Sequence, residues 1–149
     1  MKMTACFAFA FFILSSCETK KNSLPLPGTW QLISGTLIEK NDTTVTDYTK
    51  TKKFIKIIDD THFAFLGHDL DKGRDSANAF FSSGGGTYSL ADSTYTEHLE
   101  FCSDRAWEHS DFSFTITINN DTLVQKGVEK VADKGIERLN IEKYVRVKN

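Results

Sequence analysis

From residue 28 onward, apolar residues recur at every second position in short runs separated by turn-forming residues. Residues 29–39 alternate around Trp30 and Leu32, and 52–59 carry Phe54, Ile55, Ile57 and Ile58. Residues 62–66 carry Phe63 and Phe65, and 78–90 carry Phe80, Phe81 and Tyr88. Residues 95–102 alternate Tyr95, Glu97, Leu99 and Phe101, and 111–118 alternate Phe112, Phe114, Ile116 and Ile118. Residues 121–127 carry Leu123 and Val124, and 136–148 carry Leu139, Ile141, Tyr144, Val145 and Val147. A period of two, filled with β-branched and aromatic side chains, predicts eight strands. Asp59-Asp60 and Asn119-Asn120-Asp121 supply tight turns between them. No segment holds a helical period for three turns; 128–135 has room for one turn ahead of Gly135. The pattern therefore predicts an all-β domain over 28–149, either a closed eight-stranded antiparallel up-and-down barrel or a sandwich. Closure would remove exposed edges, a hazard in a chain this rich in Phe and Ile.

The first residues read differently. Lys2 precedes an unbroken apolar run at 5–14, too short to cross a bilayer as a helix but suited to the core of a signal peptide. Leu14-Ser15-Ser16-Cys17 follows. This resembles the lipobox of bacterial lipoproteins, in which an aliphatic residue and two small residues precede the cysteine that accepts the lipid. The resemblance implies a leader over 1–16, lipidation at Cys17 (palmitate among the acyl chains), and attachment to the cell envelope outside the cytoplasm. The polar stretch 17–27, with prolines at 25 and 27, then reads as a tether. Several acyl chains would hold the protein stably where one would not.

Composition agrees with one domain. The full chain has 149 residues and a net charge of −2, and removal of Lys2 with the leader takes it to −3. That balance lacks the basic footprint of a nucleic-acid binder. Of the three cysteines, Cys6 would leave with the leader and Cys17 would carry lipid, so Cys102 has no disulfide partner within the chain. It reads as a small packed hydrophobe rather than a nucleophile.

Gly28-x-Trp30 opens the first predicted strand and Tyr144-x-Arg146 lies on the last. Together with Gly84-Gly85-Gly86-Thr87-Tyr88 and the run 95–101, this resembles the lipocalin-like (calycin) barrel as found in small bacterial lipoproteins. The resemblance spans most of 28–148. It implies the barrel rather than the sandwich, and it implies that Arg146 stacks on Trp30 to close one end.

Glu97 is the sharpest chemical feature. Alternation places it on the face of Tyr95, Leu99 and Phe101, opposite Thr96, His98 and Glu100. If the aromatic face is the inner one, a carboxylate points into the lumen, where it must be paired, hydrogen-bonded or protonated. It could orient a ligand, act as an acid or base, or simply pair with an inward group such as Arg146 or Tyr88. The glycines at 84–86 lack the lysine and helix of a phosphate loop and read as a bulge or bend. Asp69, Asp71 and Asp75 invite comparison with a calcium loop, but the sixth and twelfth places hold Arg74 and Phe80 instead of glycine and glutamate. The histidines at 62, 68, 98 and 109 show no paired zinc spacing. No metal or other cofactor is expected. Trp107, in the polar loop 103–111, either packs over a barrel end or anchors a partner.

The expected function is that of a membrane-anchored, monomeric binding protein holding a small apolar or amphipathic ligand in the lumen. The candidate ligand-binding residues are Phe63, Phe65, Phe80, Tyr88, Tyr95, Glu97, Phe114 and Arg146. Two alternatives are an enzyme using Glu97 as acid or base near Tyr88 or Tyr95, and an envelope interaction module with a filled barrel that binds a partner through loops 67–78 and 103–111.

Overall fold

A computed structural model describes residues 24–148. The expected lipidation site Cys17 and the leader lie outside the described residues. The chain forms β1 (Gly28–Glu39), β2 (Asp42–Asp47), β3 (Lys52–Ile58), β4 (His62–Asp69), β5 (Phe81–Ala91), β6 (Thr94–Cys102), β7 (Ser110–Asn119), β8 (Thr122–Val131) and β9 (Ile136–Arg146). All pairings are antiparallel, and neighbours from β3 to β9 pair in chain order. β9 returns to β1, from Trp30↔Arg146 to Ile38↔Leu139. The result is a closed eight-stranded up-and-down barrel built from β1 and β3–β9, an arrangement compatible with a lipocalin-like fold.

The ninth strand, β2, is not among the eight expected. Its sequence, DTTVTD, carries a single apolar residue, Val45, which is 69% exposed. It buries no face and so shows no alternation. It is held by backbone pairing to the second half of β1, from Ser34↔Asp47 to Glu39↔Asp42, while β3 pairs with the first half, from Gly28↔Ile58 to Gln31↔Ile55. The chain leaves the barrel wall between the two, and Tyr48 fills the resulting wedge. Its ring meets Phe54 edge-on at 5.8 Å and lies over Gly35, where an added Cβ would stand 3.1 Å from it.

The turns follow the expected chemistry. Asp59 Oδ1 accepts hydrogen bonds from the backbone N–H groups of Thr61 and His62 between β3 and β4. Asn120 takes φ 51° between β7 and β8. The single helical turn expected before Gly135 is a 3₁₀ turn at Ala132–Lys134, and β8 extends up to it.

Alternation in β6 is interrupted. Gly85 pairs with Phe101 and Gly86 with Leu99, so Glu100 is an extra residue. The bulge turns Phe101 outward, 68% exposed, and brings Cys102 inward, correcting the expectation that Phe101 shares the inner face with Glu97. The glycines permit it: a Cβ on Gly86 would stand 2.0 Å from the His98 carbonyl oxygen.

The two barrel ends differ. At one end β1 begins and β9 finishes. Leu26 is fully buried there and its carbonyl accepts a 2.8 Å bond from Trp30 Nε1. Within residues 24–27, expected as the last part of a tether, Leu24 and Leu26 thus pack into the barrel end while Pro25 and Pro27 stay exposed. The Arg146 guanidinium lies 4.0 Å from the Trp30 ring centroid and donates to the carbonyl oxygens of Pro25 and Pro27. Leu32, Ile58, Ile116, Leu123 and Tyr144 are buried with Trp30 in the same core. The loops 48–51, 70–80, 103–109 and 132–135 gather at the opposite end.

Candidate functional site

Between the packed floor and that looped end lies a cavity of about 330 Å³. Its apolar wall comes from Phe54 and Phe65, whose rings stack at 6.0 Å, and from Leu99, Phe112 and Phe114. Gly67 and Gly84 make room for those rings: a Cβ on either would sit within 2.5 Å of Phe54 or Phe65. Trp107, at the end of the 3₁₀ turn Arg105–Trp107, stands at the mouth with its ring 5.7 Å from Phe112. The Arg138 guanidinium lies over the Trp107 ring at 5.2 Å.

The remaining wall is polar. At the foot, Lys56 Nζ lies 2.6 Å from Glu97 Oε1 and 3.1 Å from Gln125 Oε1, and all three residues are buried. The ammonium is also within 6 Å of the Tyr144, Phe63 and Tyr95 ring centroids, at 5.4, 5.8 and 5.9 Å. Beside this cluster, directly across from Gln125, Glu142 Oε2 accepts a 2.7 Å bond from Tyr144 Oη. Glu129 accepts from Asn140 Nδ2 at 2.7 Å and from Arg138 Nε at 2.8 Å. Asp104, at the mouth, is paired with Lys134.

Burial sets the ionisation of these groups. It pushes the Glu97 carboxyl above the usual glutamate range, with the Lys56 ammonium pulling the other way. Burial, reinforced by the Glu97 charge, raises Tyr95; burial, reinforced by Glu142, raises Tyr144 and Tyr48. The Cys102 thiol lines the cavity and burial raises it too, so it stays protonated and a poor nucleophile. Tyr95 Oη is buried with no hydrogen-bond partner among the described residues.

Of the residues expected to bind ligand, Phe65, Glu97 and Phe114 line the cavity. Phe63 and Tyr95 are buried in the core beside Lys56. Tyr88 packs at a tilt against Tyr95, with centroids 5.2 Å apart, and its hydroxyl donates to the Asp59 carbonyl in the β3–β4 turn, away from the cavity. Phe80 lies outside β5, against Phe54 and under Lys52 Nζ. Arg146 belongs to the closed end. The partner of Glu97 is neither Arg146 nor Tyr88 but Lys56. Asp69, in the charged loop, spends its carboxylate on the backbone N–H groups of Gly73 and Phe80.

Sequence reasoning passed over Lys56, Gln125, Glu129, Arg138, Asn140 and Glu142. The signal was present in the alternation. Lys56 shares a face with Phe54 and Ile58, Gln125 and Glu129 share one with Leu123 and Val131, and Arg138, Asn140 and Glu142 share one with Tyr144. In a lumen the inner face is partly polar, which inverts the usual reading. No known family and no curated protein matches the sequence. The cavity itself therefore carries the functional argument.

Proposed function

We propose that the chain is a membrane-anchored, lipocalin-like lipoprotein that binds one small apolar or amphipathic molecule in its lumen. The observation that carries the reading is the cavity of about 330 Å³, with aromatic side chains on one wall and polar groups on the other, above a sealed floor. Its volume lies at the small end of small-molecule sites, and its lining divides about evenly between apolar and polar side chains, which suits an amphipathic ligand. The binding groups are Phe54, Phe65, Phe112, Phe114 and Trp107 for the apolar body and the Glu97–Lys56–Gln125 cluster with Glu142 for the polar end. Lipidation at Cys17 complements this arrangement. Residues 24–27 dock at the closed end, so an anchor upstream would join the barrel at the end opposite the mouth. Organic extraction of the purified full chain, with mass spectrometry of the extract, tests the binding; a retained small molecule supports it and a clean extract opposes it. Fractionation of cells carrying Cys17→Ser tests the anchor: the protein leaves the membrane fraction if Cys17 holds it there.

A second reading has its own observation. Phe101, Gly85, Ala64 and Ile57 follow one another across four adjacent strands on the outer wall, and Leu66 and Phe81 are exposed on β4 and β5 of that wall. Such a surface suits contact with another envelope protein. Crosslinking from position 101 in intact cells distinguishes it, since a ligand carrier with no partner gives no adduct there.

A further inference from the structure

The charges in the cavity do not balance. Among its carboxylates, Glu97 has Lys56 at 2.6 Å, Glu129 has Arg138 at 2.8 Å, and Asp104 has Lys134. Glu142 lines the same cavity, and its one partner among the described residues is the neutral Tyr144 hydroxyl at 2.7 Å. Both cations of the lining, Lys56 and Arg138, are already engaged by carboxylates. With Glu97 ionised against Lys56, the described residues leave the cavity short of one positive charge, at a position half removed from water.

The surroundings of Glu142 fit a cation. Its neighbours across the strands are Gln125 on β8 and Gly35 on β1. Gly35 contributes no side chain, and the Tyr48 ring packs over it. A positively charged group at Glu142 would meet a carboxylate, the Gln125 amide within the same lining, and an aromatic face. An anionic group would find no unengaged cation among the described lining residues and would face an uncompensated carboxylate at low dielectric. The apolar wall of Phe54, Phe65, Phe112 and Phe114 leaves room for an aromatic or short aliphatic body beside it.

We propose that the ligand is a cationic amine with an apolar body, and that Glu142 is the group that receives its ammonium. This rests on the reading of the barrel as a small-molecule binder and assigns the chemical class of the ligand. Glu142 acts by charge, with Tyr144 holding the carboxylate in place.

Three probes of similar shape separate the possibilities: phenethylamine, phenethyl alcohol and hydrocinnamate, titrated into the full chain near neutral pH. Trp107 emission is the readout, since Trp107 stands at the mouth while Trp30 is sealed in the floor. The amine is expected to bind about tenfold or more tighter than the alcohol, with the carboxylate weakest. Glu142→Gln is expected to erase the preference for the amine, so that amine and alcohol bind this variant within about twofold of each other. Equal binding of amine and alcohol, or tighter binding of the carboxylate, overturns the amine assignment while leaving the binding function standing. Failure of all three to bind counts against the binding function itself and removes the assignment with it. The ranking in the unsubstituted protein decides the matter even if Glu142→Gln does not fold.

Discussion

Lys56 Nζ and Glu97 Oε1 meet at 2.6 Å at the foot of the cavity, with their side chains only 4% and 8% exposed. Neither charge has water to fall back on, so each depends on the other. Glu97→Gln leaves a buried ammonium without its counterion and is expected to cost about 3–5 kcal/mol in urea unfolding. The double change Lys56→Met with Glu97→Leu removes both charges and is expected to recover most of that loss. If the double variant is as unstable as Glu97→Gln, the cost lies in packing rather than in the orphaned charge. The same double variant bears on an enzymatic role for Glu97: full stability with retained ligand binding would leave the pair a structural part of the floor.

Arg146 closes the barrel by a planar contact and a fork. It lies over the Trp30 ring and donates from both terminal nitrogens to the carbonyls of Pro25 and Pro27. A lysine reproduces the charge but not the geometry. Arg146→Lys is expected to lose about 1–3 kcal/mol and to free residues 24–27 from the barrel end. Limited proteolysis reads this directly, as cleavage ahead of Gly28 that the unsubstituted protein resists.

Gly86 has no room for a side chain. A Cβ there would stand 2.0 Å from the His98 carbonyl oxygen and 2.9 Å from the Glu100 nitrogen, both backbone atoms of the bulged strand. Gly86→Ala must displace β6 and is expected to destabilise by about 3 kcal/mol or more. Gly73, exposed with open space around its α-carbon, is the control. It takes φ 67°, so Gly73→Ala is expected to cost only about 1 kcal/mol of backbone strain.

Acid should unfold the protein through its turns. Asp47 is lowered to about 2 by the hydroxyl and N–H of Thr49. Asp59, Asp69, Asp75 and Asp104 are lowered as well: Asp59 and Asp69 chiefly by backbone N–H groups, Asp75 by Asn78 and Asp104 by Lys134. For each, the folded value lies below the unfolded one, so its contribution is present above the ordinary aspartate value of 3.8 and is lost as pH falls through the lowered value. Glu97 has the opposite sign. Its raised value favours the neutral form in the fold, so its ionisation opposes folding as pH rises through that value, and acid relieves this. With five aspartates and Glu108 lowered against Glu97 raised, Tm is expected to fall steadily below about pH 4. Asp69→Asn is expected to lower Tm at neutral pH and to flatten the acid limb.

The barrel was legible in the sequence because most strands alternate cleanly. Phe112, Phe114 and Ile116 mark the inner face of β7 without ambiguity, and Tyr95, Glu97 and Leu99 that of β6. β2 was not legible, since its residues are exposed and polar apart from Val45, with only Thr46 reaching the cavity lining, and such a strand leaves no periodic trace. The reach of the inner face was misjudged where the Glu100 bulge turns Phe101 out and Cys102 in. The polar half of the site was missed for a physical reason. In β9 the apolar Leu139 and Ile141 lie half-buried on the outer face, while Arg138, Asn140 and Glu142 point into the lumen. Polar residues on an inner face become recognisable only once closure of the barrel has defined that face.

The most direct measurement is native mass spectrometry of the full chain, beside a variant whose cavity is filled. Leu99 is buried on the cavity wall, and Leu99→Trp takes up part of the space of about 330 Å³. The expected result is a folded protein carrying one small molecule, released on denaturation and missing from Leu99→Trp while its fold persists. A protein that flies with nothing bound and whose Trp107 emission ignores every added small molecule would contradict a binding function for this barrel.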